Sequence, residues 1–345
     1  MAKQKEKEKE VEIKSKTQDA LNRLNKKYGE GTVLSLSSKS TDGYDVISTG
    51  SIGFDHIGLG VGGFVKGKLY ELIGWEGSGK STICGHAVAN CQKKGGKVVY
   101  VDGEHAVDKA YFQALGVDVE ALLIAQPSCG EEGFQIAEEL IKTGEFDLII
   151  IDSDSSLIPK SVIDGEIGDS SIGKKARLNN GAYPKLKSLL ADTKTCMIVV
   201  SQWREKIGVM FGDSRITQGG HALKFYTDCR IDVSKSLIKE GDETVGSTTK
   251  IKVIKNKMAP PFRASSFEVR FGKGIDKMGE SMQLASEFEI ATKYGKSITY
   301  DGNKMPIEDF TKMLENKDFF NKIKDEIVEK IKNTDIPVEE TTEIE

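Results

Sequence analysis

One stretch constrains the fold more than any other. Gly74-Trp75-Glu76-Gly77-Ser78-Gly79-Lys80-Ser81-Thr82 reads Gly-x-x-x-x-Gly-Lys-Ser, a phosphate-cradling loop. Glycines at 74, 77 and 79 let backbone N–H groups close around phosphate oxygens with no side chain in the way. Lys80 is placed to reach the β- and γ-phosphates, and Ser81 offers a hydroxyl to Mg²⁺. A helix starting at this point aims its positive end at the anion. The flanks agree. Residues 68–73 read as a short strand. Ile83, Ala87 and Cys91 recur every four residues, with Cys84 and Val88 beside them, as one helical face does. Gly95-Gly96 then ends the helix. The competing reading, a glycine-rich turn without chemistry, does not account for strand, loop and helix in that order. ATP and Mg²⁺ are the expected cofactors.

Downstream, Val/Ile/Leu-rich runs at 69–73, 98–102, 122–125, 147–152 and 196–201 alternate with helical stretches, as buried parallel strands do. Shorter alternating runs at 229–234, 249–255 and 265–271, joined by turn residues such as 239–242, read as an antiparallel extension. Residues 277–330 change character. Helical spacing over 281–293, a hairpin at 295–302 and a charged helix over 308–332 suggest a small α/β C-terminal domain. At the other end, Leu21, Leu24 and Tyr28 fall on one helical face, and Val33, Leu34 and Leu36 form a short strand over 32–36. A lone helix and strand must pack on the main body or on a neighbouring copy. The expected organisation is 1–41, 42–276 and 277–345. The expected fold is α/β, with a mostly parallel central sheet.

Charge and cysteine content bound the partners. The chain of 345 residues carries a net charge of −4, which argues mildly against a nucleic-acid binder but leaves room for a local basic field. Cys84, Cys91, Cys129, Cys196 and Cys229 are odd in number and lack Cys-x-x-Cys spacing, so a reduced, cytoplasmic chain is expected. No His/Cys spacing suggests structural zinc. The Lys/Glu-rich first 16 residues have no apolar signal region, and no apolar run approaches membrane length.

Around the phosphate loop, the run 146–153 places Asp152 at the end of an apolar strand, where a second Mg²⁺-side group belongs. The strand over 98–102 is followed by Glu104, positioned to orient or deprotonate an attacking water. Asp102 could do so instead on sequence logic alone. Tyr111 lies two helical turns further and suits an adenine face, or simple packing. Gln202, at a strand end, suits a γ-phosphate sensor. Two long glycine-bearing segments, 164–173 followed by Lys174, Lys175 and Arg177, and 203–220 with Arg204, Lys206 and Arg215, suit a phosphate backbone. Mobile surface loops are the plainer reading of both. The tail over 337–345 holds four Glu and no Lys or Arg. It reads as solvated, or as a competitor of DNA for a basic surface.

At these residues the chain closely resembles the bacterial RecA recombinase family, from about Leu21 to Glu280. The carrying stretches are 47–51, the phosphate loop, Asp102-Gly103-Glu104-His105-Ala106, Gly165-Glu166-Ile167-Gly168-Asp169-Ser170, Lys206-Ile207-Gly208-Val209-Met210-Phe211-Gly212, Gly219-Gly220-His221-Ala222-Leu223-Lys224-Phe225-Tyr226 and Val253-Ile254-Lys255-Asn256-Lys257. The resemblance implies an ATP-dependent recombinase that forms helical filaments on single-stranded DNA, pairs it with duplex DNA and hydrolyses ATP in a DNA-dependent manner. It implies that Glu104 is the catalytic carboxylate and Asp108 and Tyr111 the adenine-side contacts. Segments 164–173 and 203–220 would line the DNA groove, with Ile172 as a wedge between bases and Gly173, Lys174, Arg177, Arg204, Lys206, Gly219, Gly220 and His221 as DNA contacts. Gln202 would sense the γ-phosphate, and Phe225 would relay at the subunit interface. Lys255 and Lys257 would reach a neighbour's ATP, and the N-terminal helix and strand would dock on the adjacent subunit. Mediator or repressor proteins are possible further partners.

The chain departs from the family at several points. Trp75 and Gly77 stand where Pro and Ser are common, and Lys109 where Pro is. Ser201-Gln202-Trp203-Arg204 replaces an Asn-Gln-aliphatic-Arg pattern, and the tip at 214–218 and His221 differ as well. These differences fit a divergent or phage-borne member. A ring-forming motor would share the nucleotide residues but gives no reason for the N-terminal arm and both loops. A filament scaffold using ATP as glue gives no reason for Glu104.

Overall fold

The computed structural model describes residues 16–29, 32–33, 43–167, 169–171, 173–205, 214–217 and 219–339. The expected strand positions 34–36, Ile172, Lys206 and residues 340–345 of the acidic tail lie outside them. The chain divides into residues 1–43 and 44–345. In the first unit, helix α1 (16–28) ends at Gly29, and the Asn25 side chain both donates to Val33 O (3.2 Å) and accepts from Val33 N (2.9 Å).

The second unit opens with β1 (Val46–Ile47), a π-type helical turn over Phe54–Gly58 and β2 (Phe64–Val65). Its central sheet starts with β3 (Leu69–Gly74), which leads through the glycine loop into α2 (Lys80–Lys93). Then come β4 (Val98–Asp102), α3 (Lys109–Ala114), β5 (Leu123–Ala125), α4 (Gly130–Lys142) and β6 (Leu148–Asp152). After them run α5 (Lys160–Ile163), α6 (Lys174–Thr193), β7 (Cys196–Glu205), β8 (Arg215–Thr217) and α7 (Ala222–Tyr226). The sheet is completed by β9 (Cys229–Glu240), β10 (Glu243–Asn256), β11 (Ala264–Arg270) and β12 (Gly274–Ile275).

The strand order is β12-β11-β10-β9-β3-β7-β6-β4-β5. From β5 to β9 the neighbours run parallel, and from β9 to β12 antiparallel. Alternation splits β3, β4, β6 and β7 between two cores. Tyr70, Leu72, Val98, Tyr100, Ile150 and Ile198 face α2, whereas Leu69, Val99, Val101, Ile149, Ile151 and Val199 face α4 and α6. All the parallel strands therefore end on one edge, and in an open α/β sheet that edge is where ligands bind.

The strands lie where the sequence suggests, but β9 runs on past 234 and β10 starts well before 249. The turn at Gly241-Asp242 lets them pair out to Glu240 and Glu243, beyond their apolar halves. The segment 203–220 also differs from a plain loop. Trp203–Glu205 and Arg215–Thr217 pair antiparallel, so its described ends form a ribbon continuing β7.

Past Asp276, the helix expected over 281–293 is α8 (Lys277–Glu287), and residues Ala291–Tyr294 form β13. The expected hairpin is a three-stranded sheet of β13, β14 (Ser297–Tyr300) and β15 (Asn303–Pro306), because Gly295 and Gly302 each turn a corner. Helices α9 (Ile307–Glu315) and α10 (Lys317–Lys332) break at Asn316, whose side chain caps α10. Phe310, Leu314, Ile323 and Ile327 form a third core with Leu284 and Ile298, which Ile52 and Ile57 join from the main body.

Glu280 fastens this segment to the main body. Its carboxylate accepts from Ser51 Oγ, Ile52 N (3.1 Å) and Gly53 N (3.0 Å). Burial pushes its pKa up to about 7, and that of nearby Asp55 to about 6. Both values lie above the ordinary carboxylate range, so the folded state holds these protons more tightly. Their contribution to stability is full at acid pH and is lost as pH rises through about 7. His56 and His86, pushed down to about 4 and 3 by burial, act in the opposite direction only below about 6.5. Between pH 6.5 and 8 the melting temperature should therefore fall as pH rises, and Glu280→Gln should flatten that slope. An unchanged slope in the variant would place the titration elsewhere.

Candidate nucleotide site and loop interface

The heads of β3, β4, β6 and β7 bring one group together. At Gly74 the chain passes β9 so closely that a methyl group would lie 2.3 Å from Val233 O and 2.7 Å from Ser78 Oγ. Only glycine fits so close to that carbonyl. Lys80 curls back over the loop, donating to Gly74 O (3.0 Å), Trp75 O (2.8 Å) and Ser78 Oγ (3.3 Å). Burial lowers its pKa, and the charges of Asp152 and Glu104 oppose that shift. Ser81 Oγ donates to Asp152 Oδ2 (2.8 Å), which also accepts from Tyr100 OH (2.6 Å). Burial raises the Asp152 pKa despite these two donors. Among the described residues no group of three or more His, Cys, Asp or Glu side chains forms a metal cage. A hydroxyl beside one carboxylate is a donor set for a hard, oxygen-loving cation that shares its remaining positions with phosphate and water.

The two acidic candidates after β4 separate. Asp102 is buried and closes its own turn, accepting from Ala106 N, Val107 N and Gln126 Nε2. Glu104 is exposed at the site, and its Oε1 accepts from Ser153 Oγ and from Gln202 Nε2 (3.0 Å). Gln202 Oε1 in turn accepts from Arg204 Nη2 (2.7 Å). A single chain of hydrogen bonds thus runs from Glu104 into the ribbon.

Tyr111 OH lies 2.8 Å from Thr82 Oγ1, which ties α3 to the start of α2. Asp108 caps α3, its Oδ1 accepting from Tyr111 N (2.7 Å). Trp75 and Glu76 are exposed on the loop.

Sequence reasoning missed three neighbours. Tyr100 is the one aromatic in an aliphatic strand, and Ser153 directly follows Asp152. Lys235 lies two residues beyond Val233 on β9, and a methyl at Gly77 would meet its Nζ at 3.2 Å. Period-two alternation from the strand beside the loop was the available signal for Lys235.

The candidate DNA contacts gather at the stems of the two segments. Gly173 precedes α6, Lys174 Nζ donates to Ser161 O (3.2 Å), and Arg177 is exposed. Ile167 is fully exposed. The ribbon is braced by Asp232, which accepts from Trp203 Nε1 (2.8 Å) and Arg215 Nη1 (2.9 Å), with Arg215 over the Trp203 ring. Gly219 and Gly220 pack on α6, and His221 lies beside the exposed Phe225.

Lys255 and Lys257 do not join this group. Lys255 pairs with Arg230, which bonds Glu71 on β3, whereas Gly74 aligns with Val233 and Val233 with Ile251. Three residues of β3, about 10 Å along the strand, separate the level of Lys255 from Gly74 of its own chain, and β10 covers the same distance in four because of a bulge between Val253 and Lys255. Lys255 Nζ donates to Lys224 O (2.7 Å) and Phe225 O (3.1 Å), and Lys257 is 3.8 Å from Asp228. Burial, with Lys257 and Arg230 nearby, lowers the Lys255 pKa to about 8.

A family model described as the RecA N-terminal domain matches residues 15–276. The protein RecA of Clostridioides difficile (strain 630) is 44% identical over 288 residues, covering 83% of this chain and 82% of its own. That of Cytophaga hutchinsonii is 47% identical over 290 residues, covering 84% and 81%. That of Saccharopolyspora erythraea is 44% identical over 316 residues, covering 90% and 91%.

Proposed function

The chain belongs to the RecA family, and from that premise we propose that its ATP lies in the loop 74–82 and is hydrolysed from Glu104 under the control of DNA held by the two loops. As a member of the family it is an ATP-dependent recombinase. It filaments on single-stranded DNA, exchanges strands, and acts as a DNA-dependent ATPase. Among the described residues no helix is long and apolar enough to cross a membrane. The assignment of roles to residues is our own reading.

The observation that carries it is the bond from Gln202 to Glu104. One amide holds the carboxylate that would activate water and also, through its oxygen, Arg204 of the ribbon. Glu104 would orient or deprotonate the attacking water. Lys80 would leave its loop carbonyls for the β- and γ-phosphate oxygens. Ser81 and Asp152 would hold Mg²⁺, which when bound neutralises charge on the phosphates. Tyr111 would lie against the adenine, with Asp108 fixing its helix. Lys255 and Lys257, remote from their own loop, would act on the ATP of a neighbouring protomer, where a cation stabilises charge developing on the γ-phosphate. The arm carrying α1 would dock on the adjacent subunit, and residues 277–345 would serve as a separate C-terminal domain. Gly173, Lys174, Arg177, Arg204, Gly219, Gly220 and His221 would face DNA.

ATP hydrolysis with and without single-stranded DNA, at equal Mg²⁺, tests this coupling. Strong stimulation is expected. A rate independent of DNA would keep the phosphate-loop chemistry and remove the loops' assigned role.

A further inference from the structure

Asp154 lies two residues beyond Asp152, is 2% exposed, and takes no part in the hydrolysis described above. Its carboxylate accepts from the Tyr183 hydroxyl and from Asn179 Nδ2, 3.2 Å from each oxygen, and lies 3.6 Å from Lys175 Nζ. Lys175 Nζ also donates to the backbone oxygens of Asp154 and Leu157. Lys175, Asn179 and Tyr183 are spaced by four on α6, so one helical face supplies every donor. A carboxylate at this depth is stable only because it is paired and hydrogen-bonded throughout. The arrangement therefore fixes the start of α6, where segment 164–173 ends, to the head of β6.

The second segment enters the same cluster. Asn179 Nδ2 lies 3.4 Å from Gly219 O. A methyl at Gly219, where φ is 91°, would lie 2.4 Å from Asn179 Nδ2 and 3.1 Å from Asp154 Oδ2. One at Gly220 would lie 2.9 Å from Ala176 Cβ. Asn179 Oδ1 is buried and has no partner, an acceptor that a shifted backbone N–H of the ribbon stem would satisfy.

Three successive side chains at the head of β6 thus meet three different parts of the molecule. Asp152 bonds Ser81, Ser153 bonds Glu104, and Asp154 bonds α6 at the stem of the first loop, where its partner Asn179 reaches Gly219 O at the stem of the second. We propose that Asp154 is a positioning residue through which the state of the nucleotide site sets both DNA-facing loops together, by a route separate from Glu104–Gln202–Arg204. When Asp152 or Glu104 changes partners, the head of β6 moves. The Asp154 cluster, rigid because each of its donors is engaged, carries both stems with it. The inference rests on the reading that segments 164–173 and 203–220 face DNA.

The test is the ratio of affinities for a fluorescent single-stranded oligonucleotide in the presence of ATPγS and of ADP, measured by anisotropy on the full chain. Such a ratio is the coupling itself. Asp154→Asn keeps the shape but not the charge. It should bring the ratio at least about tenfold closer to one while DNA-independent hydrolysis stays within about twofold of wild type. Tyr183→Phe removes one donor, and Gly219→Ala pushes from the ribbon side. Both should lower the ratio as well, and they decide the matter should Asp154→Asn fail to fold. A purely structural role lowers melting temperature and both affinities together with the ratio unchanged, and that result overturns the proposal. A wild-type ratio near one overturns instead the reading of the loops, and the Asp154 route with it.

Discussion

Replacing Lys80 by alanine should lower DNA-stimulated ATP turnover by about 10²–10³-fold, the cost of removing one preorganised charge from a reacting centre. Lys80 is partly stripped of water and is held by two carbonyls and a hydroxyl, all neutral. It therefore stands ready to exchange them for charged phosphate oxygens, a gain that an exposed lysine would not make. Nucleotide affinity should fall less than turnover. The backbone cradle remains, as does Lys235 beside Gly77, and Lys80→Ala/Lys235→Ala should bind ATP more weakly than either single variant. Steady-state hydrolysis and equilibrium nucleotide binding read the two effects separately. Turnover of Lys80→Ala within about twofold of wild type would remove the loop 74–82 from the chemistry.

The second large effect concerns a residue that lies far from its own loop. Lys255→Ala should lower turnover by about 10³-fold or more, the range for a cation supplied across an interface. Nucleotide binding to the isolated protomer should be unaffected. Because the lysine and Glu104 would come from different protomers, two dead variants should rescue each other. In a random mixture of Lys255→Ala with Glu104→Gln, about one interface in four joins an intact Glu104 to an intact Lys255 in a head-to-tail assembly. Hydrolysis should return to about that fraction of wild type. No recovery on mixing would mean that both residues act within one chain, against the strand register. The lowered pKa of Lys255 adds a check: its charge, and with it kcat/KM, should decline as pH rises through about 8, and Lys255→Arg should remove that limb.

Much of this arrangement was legible in the chain because it is local. The run from Lys68 to Cys91 encodes strand, loop and helix in consecutive residues, and Asp152 closes its strand in the same way. What was not legible depends on elements distant in sequence. The choice between Asp102 and Glu104 turns on a turn that folds back on Asp102 and on Gln126, 24 positions away. The ribbon character of 203–220 depends on Trp203 and Arg215 sharing Asp232. Helix and strand exchange near residue 290 because Gly295 and Gly302 turn corners of a small sheet, where spacing alone continues a helix. The spacing by four of Lys175, Asn179 and Tyr183 is present in the chain but was not singled out there. Only the fold shows that these side chains face a buried Asp154.

The separation of Lys255 from Gly74 along β10 and β3 also changes what a single chain is. If Lys255 serves a neighbour's ATP as proposed, a protomer would carry part of one site at each end, and completeness would belong to pairs. A row of n protomers has n − 1 joints, and the protomer at one end keeps its ATP while the other end offers lysines to nothing. Short rows are then disproportionately idle. The two ends of any row are chemically unequal, and growth and loss have a built-in direction before DNA supplies one.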